Sequence, residues 1–482
     1  MKINKVLRYI ILFLLFLPVL FYLTLLGLVK YDELSHRIEA EEIESRVSHS
    51  LQDHEIVLLN SGTASLWKRI DLIRSAKKSV ELEYFIFELD RSSRIITREL
   101  MKKSKEGVKV RILVDFSFPI FKLNPIVAGF LNNSGIEVKY YNTATAWSLF
   151  DVQHRSHRKL LIVDGISVIT GGRNVADDYF ELSEKYNFFD SDIFIKGPIV
   201  GEMRQSFEVY WNSNLARPFN ELKTKFSQEE MADSLNYMLE SKEDDELLEK
   251  INQTGKNNYK NSYSGLCRDI TFVSDHPGVS VAKRQVYKSL LKEASKAESS
   301  ILVESPYFVL KDDGLNAIKE ITDRNVQFKV LTNSLNSTDA YYTVSALYAN
   351  LKQLNRSAIE VWAYDGTPQE GTQTIPDIKL SERWGLHAKR GVLDDETTII
   401  GTYNMDPRSA NLNSELIVIC RKNSELAAAV RQDMEKRLLN SKPIVQQNCL
   451  HCSTSLWRGA DWISTIKFIG IIPIAGHLDF LL

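Results

Sequence analysis

Two short stretches of this chain place histidine, lysine and aspartate at the same spacing. In both, a His is followed two residues later by a Lys and five residues after that by an Asp; these residues are His157, Lys159, Asp164, His387, Lys389 and Asp394. A Gly lies fourteen residues and an Asn seventeen residues after each His, at Gly171, Asn174, Gly401 and Asn404. One such match could arise by chance, but two with the same downstream residues indicate a duplicated site.

The residue types in these stretches favour chemistry at a phosphodiester. Residues two apart in a strand point to the same face, so each His projects together with its Lys. The two lysines would hold the negative charge of the phosphate oxygens. One neutral His would attack phosphorus while the other, protonated, donates a proton to the leaving oxygen. This scheme requires no metal ion or other cofactor. Ordinary histidines in hairpins would explain one copy, but not matching downstream residues in both.

The first stretch continues as a predicted β-hairpin. Residues 160–163 are apolar and partly β-branched, Asp164 and Gly165 are a turn signal, and residues 166–170 form the second strand. The turn lies at the far end of the hairpin from the His. We therefore expect a salt-bridge or capping role for Asp164 and its counterpart Asp394, although both complete the repeated pattern.

The elements around the two stretches are repeated as well. The periodicity predicts helix, strand, helix and strand at residues 65–78, 80–87, 95–104 and 108–114, and again at residues 285–296, 300–309, 314–324 and 326–332. This alternation, with a period near 220–230 residues, predicts an α/β fold. It consists of two pseudo-symmetric, βαβ-rich domains with mixed sheets flanked by helices, and the repeated stretches face each other at their interface.

Composition divides the chain into five segments. We predict an N-terminal membrane anchor and stalk at 1–50, a first domain at 51–213, a charged helical linker at 214–270, a second domain at 271–445 and an apolar tail at 446–482. The linker's charges indicate a solvated helical surface. The tail, rich in Trp and Ile, is typical of a membrane-interfacial segment. The alternative is a C-terminal helix that packs on the body.

Charge and cysteine content exclude some functional classes. The net charge is −2 at pH 7, whereas a non-specific nucleic-acid binder usually carries a clear excess of Lys and Arg. The four cysteines, Cys267, Cys420, Cys449 and Cys452, are too few for a disulfide scaffold. Cys449 and Cys452 have the spacing of half a zinc site, but no second pair matches them. A local disulfide or two free thiols fit that pair better.

The N-terminal segment predicts a transmembrane helix. Residues 9–29 carry no charge and are mostly Leu, Ile, Phe and Val; about 20 apolar residues span a bilayer. A cleaved signal peptide is the alternative, but no small-residue cleavage site follows the run. Lys2, Lys5 and Arg8 precede it, so the positive-inside rule puts the N-terminus in the cytoplasm and the body across the membrane.

The sequence resembles the phospholipase D superfamily, whose signature is His-x-Lys-x4-Asp occurring twice. Further segments are similar to bacterial cardiolipin synthases, notably the C-type branch. They are Gly-Gly-Arg-Asn at 171–174, Asp-Tyr-Phe at 178–180, Gly-Pro-Ile-Val at 197–200, Tyr-Trp-Asn-Ser at 210–213, Glu-Ser-Pro-Tyr-Phe at 304–308, Leu-Thr-Asn-Ser-Leu at 331–335 and Gly-Thr-Tyr-Asn-Met-Asp-Pro-Arg-Ser at 401–409. The resemblance runs from about residue 55 to 440. Thr402 stands where the family usually has Ser, and residues 368–383 are individual.

The resemblance implies two phospholipase D-like domains and a set of site residues. Besides each His, Lys and Asp of the signature, it implies phosphate contacts from Asn174 and Asn404. It also implies carboxylates at Asp192 and Glu415, which orient the histidines through their other ring nitrogens and stabilise the imidazolium. In several relatives the first-copy His is the nucleophile, which implies His157 as nucleophile and His387 as general acid.

The implied activity is phosphatidyl transfer that makes cardiolipin. One phospholipid, phosphatidylglycerol or phosphatidylethanolamine, gives its phosphatidyl group to His, and a hydroxyl of phosphatidylglycerol takes it. A hydrolase that releases phosphatidic acid would use the same residues. A nuclease is disfavoured by the apolar N-terminal segment, the apolar tail and the charge balance, and an inactive lipid-binding scaffold is disfavoured by intact His and Lys in both copies. We expect a single-pass protein of the bacterial cell (inner) membrane with an extracytoplasmic body and no nucleic-acid partner.

Overall fold

The computed structural model describes most of the chain outside the N-terminal segment. The residues described are 46–117, 123–144, 151–222, 228–238, 242–278, 284–310, 312–368, 375, 381–446 and 452–475, with ten residues between positions 9 and 27.

Twenty strands occur in this part of the chain. They are β1 Arg46–Ser50, β2 His54–Leu59, β3 Ser79–Tyr84, β4 Lys109–Asp115, β5 Ile136–Tyr141, β6 Leu160–Val163, β7 Ser167–Gly171, β8 Asn187–Phe189, β9 Asp192–Lys196, β10 Ala216–Pro218, β11 Ser264–Cys267, β12 Asp269–Ser274, β13 Ser300–Glu304, β14 Gln327–Asn333, β15 Glu360–Tyr364, β16 Trp384–Leu386, β17 Arg390–Leu393, β18 Thr397–Gly401, β19 Leu416–Arg421 and β20 Ser441–Val445.

The α-helices of the described residues lie mostly between strands. They are α1 Gly62–Ser75, α2 Arg91–Lys105, α3 Pro125–Asn133, α4 Ile199–Trp211, α5 Gln228–Met238, α6 Lys242–Lys250, α7 Lys256–Lys260, α8 Gln285–Ala294, α9 Asp312–Thr322, α10 Tyr341–Leu354, α11 Pro407–Asn411, α12 Ser424–Leu438 and α13 Trp462–Ala475. The predicted alternation of helices and strands in both halves is therefore present, with boundaries shifted by a few residues.

Eighteen of the strands form two sheets of the same design. The first has the order β10-β5-β4-β3-β6-β7-β9-β2-β11 and the second β20-β15-β14-β13-β17-β18-β19-β12-β1. In each, three neighbouring strands are parallel and the others antiparallel. Position by position, the two orders match, so the predicted two-domain α/β architecture with mixed sheets is confirmed. The remaining strands, β8 and β16, pair in parallel across the two halves.

The outermost strands are exchanged between the sheets. β1 precedes β2 in the chain but pairs with β12 of the second sheet. β11 precedes β12 but pairs with β2 of the first sheet. Both strands lie outside the domains that the sequence predicts, since β1 falls in the stalk and β11 in the linker. Each half therefore completes the edge of the other.

Three apolar cores hold these layers together. One lies between the first sheet and α1 to α3, and a second between the other sheet and α8 to α10. The third is shared, because it joins residues of both sheets to α4 and α12, as represented by Ile162, Leu302, Phe207 and Met434. A continuous buried interface between halves keeps their relative position fixed, as the faces of a single domain core do.

The C-terminal helix α13 packs on the body with one side. Phe468 is buried against α10, where its carbonyl accepts a hydrogen bond from Ser345 Oγ (3.2 Å) and its ring lies beside Tyr348. The other side exposes Trp462 and Ile466, with 72% and 61% of their surfaces accessible. The packed-helix alternative for the tail therefore holds for residues 462–475, while the solvent-facing side keeps the apolar character of an interfacial helix.

Most of the predicted transmembrane helix lies outside the described residues. The ten residues described between positions 9 and 27 are all helical, and their side chains are exposed. Within the described parts of the chain, no helix is both long and apolar enough to cross a membrane.

A disulfide joins the exchanged strand β11 to the second sheet. Cys267, at the end of β11 in the first sheet, is bonded to Cys420 on β19 of the second, 153 residues away. Cys452 is also disulfide-bonded, which agrees with the local disulfide considered above, although Cys449 lies outside the described residues. Nothing in the spacing of the cysteines indicates this long-range pair.

Removing the inter-sheet disulfide should destabilise the protein. We expect Cys267→Ala/Cys420→Ala to lower the free energy of unfolding by about 2–5 kcal/mol, because a closed loop of this length restricts the unfolded chain. Urea unfolding followed by circular dichroism would measure the difference. The wild-type protein in excess reductant should lose at least as much stability. Equal stability of the double variant and the oxidised wild type would contradict the prediction.

Candidate active site

Both repeated stretches line one cleft between the two halves. The cleft encloses about 1560 Å³ of empty space, solvent-open parts included, and its walls include His157, Asn174, His387 and Asn404. Each His lies just before the first hairpin strand of its own sheet, β6 or β17. The two predicted half-sites are therefore brought together.

Each stretch is fixed by hydrogen bonds to the opposite half. The backbone N–H of His157 donates to the carbonyl of Ser414 (3.0 Å), and the N–H of His387 donates to the carbonyl of Phe189 (2.8 Å). These bonds are equivalent under the pseudo-symmetry. They tie the position of each imidazole to the other domain rather than to its own sheet alone.

The carboxylates that contact the histidines are exchanged as well. Nδ1 of His157 lies 3.0 Å from both carboxylate oxygens of Glu415. Nδ1 of His387 lies 2.6 Å from Oδ2 of Asp190. A carboxylate at Nδ1 fixes the tautomer that leaves Nε2 free toward the cleft. Glu415, the predicted residue, thus contacts the His of the other half.

The prediction that Asp192 orients a histidine is wrong. Its buried carboxylate accepts from Ser65 Oγ (2.6 Å) and pairs with Arg69 (3.0 Å) and Arg173 (3.3 Å), inside the first half. Asp190 takes the expected place. The register explains the error: Gly171 pairs with Asp192 and Gly401 with Ile417. The residue equivalent to Glu415 is therefore two positions before Asp192, after a loop of different length.

The two lysines are buried beside the histidines. Nζ of Lys159 donates to the carbonyl of His157 (2.7 Å), and Nζ of Lys389 donates to the carbonyl of His387 (2.6 Å) and lies 2.9 Å from its Nε2. Burial, and for Lys159 also the charge of Lys389, lowers their pKa values to about 7 and about 8 respectively. An anionic phosphate between them would restore both charges.

Both imidazoles are held in the neutral form. Burial, followed by the charges of Lys159 and Lys389, lowers the pKa of His157 well below its ordinary value. Burial and Lys389 lower the pKa of His387 to about 4, although Asp190 acts in the opposite direction. Neutral imidazole retains the lone pair that a nucleophile requires.

The two carboxylates differ in their ionisation. Burial raises the pKa of Glu415 to about 8, against the opposing effects of Lys159 and of hydroxyl donors on Thr402 (2.5 Å) and Ser409 (2.9 Å). Burial also opposes ionisation of Asp190, but His387 and its neighbouring cations outweigh it and lower the pKa of Asp190. The two pseudo-symmetric half-sites therefore differ in the charge of the carboxyl group beside the histidine.

The asparagines and the motif aspartates lie in different places. Asn174 accepts from the N–H of Ile86 (3.1 Å), and the buried Oδ1 of Asn404 has no hydrogen-bond partner among the described residues. Asp164 accepts from the N–H groups of the three successive residues that end at the first residue of β3, and Asp394 from the three that end at the first residue of β13. The aspartates therefore cap the turn of each hairpin, as expected, and do not contact the histidines in the described structure.

Arg408 is a cleft residue that the sequence analysis did not assign. It is on α11 of the second half, and its guanidinium donates to the carbonyl (3.0 Å) and side chain (2.8 Å) of Gln153 in the first half. Both residues line the cleft. The only sequence signal was its place in residues 401–409, which resemble the family segment. Among the described residues, no group of three or more His, Cys, Asp or Glu side chains is arranged to hold a metal ion.

Comparison with known proteins agrees with this geometry. A family model described as cardiolipin synthase, PLD-like domain, matches residues 70–211 and 290–438, more than half of the chain. The chain belongs to the cardiolipin synthase family of phospholipase D-like proteins. Cardiolipin synthase C of Escherichia coli K12 is 28% identical over 395 residues, which cover 78% of this chain and 82% of that protein.

Two further relatives extend the likeness over nearly the whole chain. An uncharacterized protein of Helicobacter pylori strain 26695 is 31% identical over 465 residues, covering 90% of this chain and 91% of that protein. Phosphatidylserine synthase of Haemophilus influenzae Rd KW20 superposes with a TM-score of 0.61 over 89% of this chain and 95% of that chain, at 14% identity. Because the two chains are only 14% identical, this likeness is evidence for the fold alone of this cardiolipin synthase family member.

Two single substitutions, Asp190→Asn and Asp192→Asn, should have different effects. The first should lower catalysis and the second should lower stability. Asp190→Asn removes the charge that stabilises protonated His387, so we expect kcat toward bis(p-nitrophenyl) phosphate to fall about 10²–10⁴-fold with little change in Tm. Asp192→Asn leaves two buried guanidinium groups without their carboxylate, so we expect a loss of about 3–5 kcal/mol in stability. The activity per folded Asp192→Asn molecule should be retained. Equal loss of kcat in both variants would contradict the assignment.

Proposed function

We propose that this protein is a phosphatidyltransferase that makes cardiolipin through a phosphohistidine intermediate, with phosphatidylglycerol as acceptor. The observation that carries the proposal is the convergence of two His-Lys pairs in one cleft, with each imidazole bound by a carboxylate of the other half. Family membership and the likeness to cardiolipin synthase C support the substrate class.

In the first step, Nε2 of His157 attacks the phosphorus of the donor lipid. A P–N bond forms and the P–O bond to the headgroup alcohol breaks, with the proton for the leaving oxygen supplied by His387. Lys159 and Lys389 neutralise the phosphate oxygens during this displacement, and we assign the carboxamides of Asn174 and Asn404 to the same oxygens.

In the second step, His387 acts in the reverse sense. Its neutral ring accepts the proton of a phosphatidylglycerol hydroxyl, whose oxygen attacks phosphorus. The P–N bond then breaks and returns the electron pair to His157, which releases cardiolipin. A water molecule in the acceptor position would instead release phosphatidic acid, so exclusion of water from the cleft decides between transfer and hydrolysis.

The unequal electrostatics support His157 as the nucleophile. Its Nδ1 is held by Glu415 and by the carbonyl of Thr402 (3.0 Å), so its lone pair is at Nε2. His387 is paired with ionised Asp190, which favours the imidazolium form. When an anionic phosphate occupies the cleft, its charge acts together with Asp190 to raise the pKa of His387, and the ring becomes a proton donor.

The proposal includes a location on the extracytoplasmic side of a bacterial cell membrane, with residues 9–29 as a single-pass anchor. Stable disulfides form in oxidising compartments and are rare in the cytosol. Cys267, Cys420 and Cys452 are all disulfide-bonded, and the apolar side of α13 supports a site close to the lipid surface.

The products formed from labelled phosphatidylglycerol would test the activity. In mixed micelles we expect cardiolipin and free glycerol; with added phosphatidylethanolamine, ethanolamine release would identify a second donor. Chromatography of the lipids measures both. His157→Ala and His387→Ala should each lower turnover by about 10³-fold or more. Phosphatidic acid as sole lipid product would replace the proposal with hydrolysis, and full activity in either variant would contradict the two-histidine mechanism.

The pH dependence of kcat/KM tests the state of the lysines. This ratio reports groups of the free enzyme. We expect kcat/KM to fall as pH rises above about 4, where His387 loses its proton, and to fall more steeply through about 7 to about 8, because Lys159 and Lys389 lose the charges that bind phosphate. On the acid side, activity should fall only well below the ordinary pKa of histidine, where His157 becomes protonated. A profile without an alkaline limb in this range would contradict the assignment.

A further inference from the structure

An apolar cavity lies inside the second half, between its sheet and the helices α8 and α9. Its empty space is about 890 Å³, solvent-open parts included. We propose that this cavity binds one acyl chain of a phospholipid substrate while the phosphate lies in the cleft. The inference rests on the proposed function, because it deepens the choice of substrate.

The walls of the cavity have the chemistry of a hydrocarbon site. Sheet residues such as Ile301, Val303 and Ile399 form the floor, and α8 and α9 supply Leu290 and Ile318 on the opposite side. An apolar chain that fills such a space gains contact with every wall. An empty cavity of this kind instead costs stability, so an occupant explains why the fold keeps it.

The cavity reaches one of the proposed catalytic residues. Lys389 forms part of its wall, and so do Tyr403 and Met405, which flank the cleft residue Asn404 in the chain. The N–H of Met405 is held by Ser305 Oγ (3.1 Å), and Ser305 also lines the cavity. Residues 403–405 therefore lie between cavity and cleft, and a lipid with its phosphate at Lys389 has an apolar compartment beside it.

Helix α8, which lines the cavity, is about as long as the hydrocarbon depth of one bilayer leaflet. α8 has ten residues, which corresponds to about 15 Å of helix at 1.5 Å per residue. That is half of the ~30 Å hydrocarbon thickness of a bilayer, the depth that one leaflet's chains occupy. Leu290, Leu291 and Ala294 of α8 and Ala317 of α9 are only half-buried, so the helices leave a lateral opening for a chain.

The equivalent helices of the first half are more deeply covered. The corresponding helices α1 and α2 bury Leu66, Ile70 and Leu100 completely. The linker covers them closely: a Cβ on Gly255 would lie 2.5 Å from the carbonyl oxygen of Thr63 on α1. The two halves thus differ in how closely these helices are covered. The acyl chain is therefore assigned to the second half, which contains Lys389.

Narrowing the cavity tests the proposal through chain length. Ala317→Trp adds a large side chain inside the cavity, and Asn316→Trp adds the same side chain on the exposed face of α9 as a matched control. With long-chain phosphatidylglycerol, we expect Ala317→Trp to lower kcat/KM about tenfold or more. With dihexanoyl phosphatidylglycerol it should match the wild type, and Asn316→Trp should match the wild type with both lipids. Equal losses with both lipids in Ala317→Trp, or no loss, would overturn the proposal.

A direct binding measurement separates this inference from the proposed reaction. Wild-type protein would be irradiated with phosphatidylglycerol that carries a diazirine in one acyl chain, and labelled peptides identified by mass spectrometry. Labels on α8 and α9 that long-chain lipid competes away support the cavity, whether or not cardiolipin forms. Labels confined to α13 or other surface helices would overturn it. Absence of any transfer or hydrolysis by the wild type would overturn the proposed function alone.

Discussion

The site depends on one exchange: the imidazole of each half is bound by a carboxylate of the other. His157 and Glu415, like His387 and Asp190, are buried pairs that cross the interface. If the halves separated, each imidazole would lose the carboxyl group that holds its Nδ1. The relative position of the domains and the tautomers of the two histidines are therefore set by the same contacts, so interface stability and catalytic geometry are coupled.

The surrounding structure reinforces that exchange at three levels. β1 and β11 complete the opposite sheets, the shared core joins both sheets to α4 and α12, and a disulfide links β11 to β19. Next to each His-Lys stretch, a buried glutamate at an equivalent strand position, Glu83 or Glu304, is paired with an arginine. The arginine comes from a different place in each copy, which shows that charge compensation was retained while the residue that provides it changed.

Local patterns were sufficient for the elements and for the two half-sites, but not for contacts across the interface. Hydrophobic periodicity and the repeated spacing give β6, β17 and their flanking helices because these depend on neighbours in sequence. The strand that pairs with β1 cannot be predicted from such neighbours, since an edge strand pairs through backbone groups that any sequence supplies. Asp190 was missed for a related reason: the resemblance to the family pointed to Asp192, and the strand pairing that makes Asp190 the equivalent of Glu415 exists only in the folded chain. Cys267 and Cys420 are 153 residues apart, and only the fold reveals that they meet.

Duplication of a site does not keep its two halves equivalent. Burial leaves Glu415 with a raised pKa, whereas the cations around Asp190 lower the pKa of that carboxyl. A proton is therefore retained in the His157–Glu415 pair at neutral pH, while Asp190 presents a full negative charge to His387. One half is suited to hold a neutral nucleophile and the other to stabilise a cationic acid.

The apolar cavity beside Lys389 adds a difference in shape on the same side as the proposed acid. A substrate with a long apolar chain and a phosphate then has one preferred direction in a cleft whose catalytic residues are related by pseudo-symmetry, and this direction determines which histidine faces the leaving oxygen.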